Sequence, residues 1–298
     1  MKLSTAQIGV LVGCLALLLL LLVGGKTAPN TKKGQETGTE ANPETFVSEE
    51  ILLAEARNEL DSTQLAWFTT LDQQKAEATD VLQEAEVLKL ISRTWIENKN
   101  YLLSAYYARK VAELLQTPEA WSIAGTTYDY AYRSGKNNAE KKLAARQAIA
   151  ALEEAIALEP DTLQHAINEA LMYVELSTVD ASVMPMKGIM MLRDLDEKYK
   201  NNVLINMTLG RMSATRTKDM AKAKPRFEKV ISIAEKEYVP LPTLAEAYYY
   251  LIECYKSENQ QVEALKLYDQ VIKLTEDDER IHSSFVIGKQ DYLQKQNK

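Results

Sequence analysis

An all-α fold, a solenoid of helix pairs behind a single N-terminal membrane helix, is the architecture this sequence predicts. Three observations predict it. From Ser48 onward, apolar residues recur at helical spacing. Within successive pairs of these helical stretches, small residues recur at a basic separation of twelve residues, lengthened by insertions in three units, the mark of an internal repeat. The chain holds only eleven glycines and eight prolines in 298 residues, and Ala, Leu, Glu and Lys abound.

The first element is apolar. Ile8 to Gly25 is an uncharged run of 18 residues, and a spanning helix needs about 17–25. Leu11-Val12-Gly13-Cys14 has the letters of a lipobox. Its strongest apolar stretch, Leu15 to Val23, follows the cysteine, however, whereas a cleaved lipoprotein signal carries its core before the cut. Val23-Gly24-Gly25 also offers small residues for signal peptidase, so cleavage before Lys26 is the alternative. The length of the run and a basic flank of Lys2 alone favour a retained anchor over residues 1-25, in contact with the lipid bilayer through residues 8-25. Lys26, Lys32 and Lys33 after the span lean towards a cytoplasmic body by the positive-inside rule. The short leader and long following domain suit export, and the expectation is a single-pass protein whose body faces outward.

Residues 26-46 are polar, contain Gly and Pro, and cannot bury enough apolar surface to fold, so they read as a tether. Gly25-Lys26-Thr27 imitates the end of a phosphate loop. The preceding glycine that such a loop needs is replaced by Leu20, and no strand leads into it.

The repeats follow. Trp121, Ala124, Gly125 and Tyr128 form one half-unit, with Ala148, Leu152, Ala155 and the closing Pro160 as its second half. Leu251, Ile252 and Tyr255 pair with Ala264, Tyr268 and Val271, after a helix start read at the capping box Thr243…Glu246. Ala170 and Tyr173 pair with Gly188, Leu192 and Leu195; Gly210 pairs with Ala223, Phe227 and Val230; Ser92 and Trp95 pair with Ser104, Ala108 and Val111. Three units carry insertions: eleven residues between Gly125 and Ala148, six in the Ala170 unit and one in the Gly210 unit. This pattern resembles the tetratricopeptide repeat, and the whole layout is similar to the membrane-anchored tetratricopeptide proteins of Gram-negative envelopes. The resemblance implies about five helix-turn-helix units over 81-276, a helical N-terminal cap over 47-80, and a capping helix and tail over 277-298. It also implies repeat-packing roles for Trp121, Gly125, Tyr128, Ala148, Ala155, Pro160, Gly210, Phe227, Ala264 and Tyr268.

Composition and motifs narrow the chemistry. A net charge of −7 gives no global attraction to nucleic acid. Cys254 has no partner outside the apolar run and reads as a small buried hydrophobe. The two histidines, His165 and His282, belong to no zinc motif, and no nucleophile constellation or phosphate loop is present, so neither cofactor, metal nor enzymatic activity is expected.

Two features suggest a partner. The run Arg211 to Lys229 carries seven basic and two acidic residues. Arg211, Arg216, Lys218, Lys222, Lys224, Arg226 and Lys229 form either a solubilising face or a patch for an acidic partner. The second feature rests on the resemblance, which places the first helix of each unit along a groove. That face carries Ile167, Leu171 and Val174, then Leu204, Met207 and Arg211, then Tyr249, Glu253 and Lys256. Its apolar middle and polar ends suit a bound helix or extended peptide, unless an insertion near Arg133–Ala144 or Met184–Met186 covers it. The expected function is a membrane-tethered adaptor that binds proteins or peptides, with a holdase for exported chains as the alternative.

Overall fold

A computed structural model describes residues 48–184 and 186–296, and every regular element among them is helical. The predicted anchor and the tether lie outside the described residues. None of the described helices is long and apolar enough to cross a membrane.

Thirteen α-helices follow one another: α1 (Glu49–Asn58), α2 (Ser62–Glu77), α3 (Val81–Glu97), α4 (Tyr101–Leu115), α5 (Pro118–Ser134), α6 (Asn138–Leu158), α7 (Leu163–Val179), α8 (Met186–Lys198), α9 (Val203–Arg211), α10 (Met220–Ala234), α11 (Leu241–Ser257), α12 (Gln261–Leu274) and α13 (Glu279–Gln296). Side-chain caps start most of them. Asp61 forms a capping box with Gln64, and Asp80, Asn100, Thr117, Asn137, Asn202 and Asp219 each accept a backbone N–H two or three residues into their helix. α11 differs from the sequence expectation. It starts at Leu241, and Thr243 does not cap it. Pro242 sits in its first turn, where a fixed φ and a missing N–H are no disadvantage, so the helix begins before the Thr243…Glu246 pair.

Consecutive helices pack against one another from α3 to α13, with the sparest contact between α8 and α9, giving a solenoid-like stack of repeated pairs. The turns repeat as well. In the α3–α4 turn Lys99 is left-handed at φ 58°, and the Asn100 N–H donates 2.9 Å to the Trp95 carbonyl. In the α11–α12 turn Asn259 stands at φ 57°, and the Gln260 N–H donates 2.9 Å to the Tyr255 carbonyl.

Small residues mark the helix crossings. Ser92 Oγ donates to the Ser104 carbonyl at 2.9 Å. A Cβ on Gly125 would stand 2.6 Å from Leu152 Cγ, one on Gly188 only 2.2 Å from the Ala170 carbonyl oxygen, and one on Gly210 2.8 Å from the Phe227 ring. Ala264 is fully buried beside Ile252, Tyr268 and Val271.

The three insertions are absorbed in three ways. The eleven-residue one extends both helices beyond their crossing: α5 runs on from Gly125 to Ser134, and α6 begins at Asn138, well before Ala148. The single extra residue before Ala223 emerges as a π-helical turn, Met212–Thr217, directly after α9. A π-turn is the form that one inserted residue takes when the helix continues around it. The six-residue insertion makes the turn after α7, and Asp180 ties that turn to α6. Asp180, only 4% exposed, accepts from Ser182 Oγ at 2.7 Å and Ser182 N–H at 3.1 Å, and faces Arg146 and Lys142. The Ser182 donors and Arg146 outweigh burial and hold its carboxyl at about 2, below the usual 3.8.

That depression fixes the sign of a pH effect. A carboxyl with a lowered folded-state pKa stabilises the fold above its unfolded value and stops doing so as pH falls towards the folded one. Asp180→Asn is therefore expected to destabilise the protein by about 1–2 kcal/mol at pH 7. The gap from wild type should close between about pH 4 and pH 2. Urea midpoints at several pH values measure this, and a gap of equal size at pH 7 and pH 2 would show that Asp180 is not the acid-sensitive tie.

Candidate functional site

The groove residues separate into three groups. Asn202 caps α9, so that Leu204, Met207 and Arg211 follow one another along one side of it. The same side of α11 brings Thr243 and Glu246 opposite, after the turn at Glu237 and Pro240. Together with Asn201, Asn202 and Val203 these residues line a cavity of about 460 Å³. Arg211 reaches across the cleft to Glu246, with Nη1 3.4 Å from Oε1. Both side chains remain well hydrated, at 43% and 37% exposure. Such a pair adds at most about 1 kcal/mol and opens readily to a ligand.

Ile167, Leu171 and Val174 do not extend this cleft, which corrects the groove read from the sequence. Ile167 is 1% exposed, in a core with Ala170, Leu192 and Ile205, and Leu171 packs on that core half-buried. Val174 meets Gly188 of α8. Met207, though it lines the cleft, is itself 2% exposed and packs with Phe227, Ala247 and Leu251. The cover comes from neighbouring helices, through Leu192 of α8 and Ile205 of α9. Neither insertion supplies it, since one lengthens α5 and α6 and the other is tied to α6. An apolar residue on a helix of a tightly wound stack buries itself against the next unit.

The third group lies further along α11. Tyr249 is 49% exposed and meets Tyr250 edge-on at 5.2 Å. Glu253 pairs with Lys256 at 2.5 Å, and Lys256 Nζ stands 5.2 Å from the Tyr292 ring centre of α13. Of the three, Lys256 reaches the C-terminal helix α13.

The basic run is largely neutralised. Arg226 forks onto Asp196 at 2.6 and 2.7 Å and reaches Asn206 at 3.1 Å, joining α10 to α8 and α9. Arg216 on the π-turn pairs with Glu175 of α7, Lys222 with Asp219, and Lys224 with Glu258 while lying 3.9 Å from the Tyr255 ring centre. Arg211 holds Glu246. Lys218 and Lys229 make no ion pair among the described residues. Five of the seven cations therefore pair with an acid, four of them on another element, while the unpaired Lys218 and Lys229 stay exposed.

The repeat-packing residues sit inside the stack: Trp121, Gly125, Tyr128, Ala148, Ala155, Gly210, Phe227, Ala264 and Tyr268 are buried, whereas Pro160 is exposed in the turn after α6. Cys254 is buried too, and burial pushes its thiol up to about 11, far from a reactive thiolate. His165 is 5% exposed, has no hydrogen bond to either ring nitrogen, and lies 3.7 Å from Glu159. Among the described residues, no three His, Cys, Asp or Glu side chains converge as metal ligands would.

Two features escaped the sequence. A second cavity, of about 640 Å³, opens between α1, α2, α3 and α4. Beside it, Glu49 is buried against Arg109 and Tyr128. The sequence signal for this was slight, one acid in an N-terminal turn 60 residues before its arginine. No family model matches the sequence, and no curated protein matches it significantly.

Proposed function

We propose that this chain is an adaptor of the tetratricopeptide type, held at a membrane by residues 8–25, whose repeat body binds a protein partner as an extended peptide or short helix. The cleft between α9 and α11 carries this reading. It has an apolar floor of Val203, Leu204 and Pro240, a polar pair in Arg211 and Glu246, and space for several side chains. A tether of residues 26–46 lets such a cleft search the nearby membrane surface at raised effective concentration. The long body after the span supports a position facing the periplasm, and no enzymatic step is assigned.

A second reading, a holdase for exported chains, is favoured by one observation. Met184, Met186, Ile189 and Met190 are all exposed at and before the start of α8. Flexible methionine surfaces suit binding of varied apolar segments.

A photo-crosslinking residue at Thr243 tests the adaptor in intact cells, with one at Glu154 on α6 as control. One specific adduct is expected at Thr243 and none at Glu154. In an Arg211→Glu background, capture should fall about tenfold or more, with stability unchanged within about 0.5 kcal/mol. Equal labelling at both sites sinks the cleft, and a broad ladder of unfolded chains supports the holdase.

A further inference from the structure

The first described helix is attached differently from the rest. Of the ten residues of α1, Glu49 alone is buried. The helix lies between two cavities, about 640 Å³ beside Leu53 and Arg57 and about 170 Å³ beside Leu52 and Glu59. Its inward side reads Glu49, Leu52, Leu53, Ala56, Arg57, which is the i, i+3, i+4, i+7, i+8 pattern of a helix bound in a groove. Leu52 touches two separate cores, one around Leu102 and Tyr128, the other around Phe68 and Tyr107, and so bridges them.

Ionic clasps hold its ends. Arg109 Nη2 donates 2.7 Å to Glu49, and the Tyr128 hydroxyl donates to the other oxygen of the same carboxylate. At the far end, Arg57 forks onto Asp72 of α2 at 2.7 and 3.1 Å. Arg57 Nε is buried without an acceptor, a defect that release into water would cure. A helix of ten residues is too short to persist in water by itself.

We propose that α1 is a detachable strap, the resident occupant of a helix-binding face on α4, which a partner helix of the same pattern displaces. The face itself specifies the partner. Arg109 at one end, which Glu113 of its own helix also holds, favours an acid in the partner's first turn. Asp72 at the other requires an arginine two turns later, and Leu102, Leu103 and Tyr107 between them take aliphatic side chains. The strap is distinct from the cleft between α9 and α11, so either can fail without the other.

Hydrogen exchange on the full chain tests it. In Glu49→Gln/Arg57→Gln, amides of α1 should exchange at least tenfold faster than in wild type, with α5 and α6 unchanged. The probe is a hydrocarbon-stapled peptide with the wild-type sequence of residues 48–58. Added to this variant, it should slow exchange in α4. Added after Arg109→Gln/Asp72→Asn is introduced as well, it should not. Unchanged exchange in α1, loss of protection in α5 and α6 alongside it, or a peptide that leaves α4 unprotected would each overturn the proposal.

Discussion

Phe227→Ala is expected to lower stability by about 3–5 kcal/mol, the range for deleting a fully buried ring that neighbours cannot replace. Phe227 is 0% exposed and stacks on Tyr250 with centroids 5.0 Å apart and planes 8° from parallel. Its other edge lies against Gly210, and the surrounding core draws Met207 from α9, Ala223 and Val230 from α10, and Ala247 and Leu251 from α11. One ring thus joins three helices. A stack in which each unit touches only its neighbours is weakest where an interface is emptied. The variant should therefore melt α11 to α13 before α3 to α7, seen as a second urea transition by circular dichroism. A single transition shifted by less than about 1 kcal/mol would contradict this packing.

Gly188→Val should rank next, at about 3 kcal/mol, the upper end of overpacking effects. The new Cβ would stand 2.2 Å from the Ala170 carbonyl oxygen, which is backbone, and 2.8 Å from both the Val174 nitrogen and Val174 Cγ2. Backbone inside a packed helix cannot swing aside, so α7 and α8 must separate. Gly125→Ala meets only the Leu152 side chain at 2.6 and 2.9 Å as its nearest obstacles, and a leucine can change rotamer. Gly288→Ala has nothing nearer than 3.4 Å, so the gain of a better helix former, up to about 1 kcal/mol, should prevail. The expected order of thermal midpoints is Gly288→Ala above wild type, then Gly125→Ala, then Gly188→Val. A Gly188→Val protein as stable as Gly125→Ala would mean that α7 and α8 do not cross at that glycine.

Phe227, Gly188 and Gly125 are all legible in the sequence as packing positions, because a helix crossing leaves a local trace: a small residue, and a large one a turn away. Lengths were legible for the same reason. The single residue in excess between Gly210 and Ala223 is visible in the spacing, and it reappears as a π-turn. Its form was not legible, because a loop or a longer turn would have the same spacing.

The candidate site shows where such reasoning stops. Ile167 and Leu204 both read as floor, yet Ile167 is buried inside a core, while Leu204 packs on that core only in part and also lines the cleft. Their own helices do not distinguish them. The rotation between successive units does, by setting how far α9 closes over α7. The basic run behaves alike. Seven cations among two acids in sequence look like a positive surface, but Asp196, Glu175, Glu246 and Glu258 reach them from other elements.

From local spacing alone, the sequence determined that the described chain is helical, that its helices come in pairs, and where each pair touches most closely. Periodicity and residue size act within a few turns of one backbone, and they survive in any arrangement of the pairs. The tertiary structure decided which apolar faces stay open, which charges meet, and that Glu49 closes on Arg109 and Tyr128 from 60 and 79 residues away. Those outcomes depend on the relative rotation of whole helices, a quantity summed over every crossing in the stack and written in none of them singly.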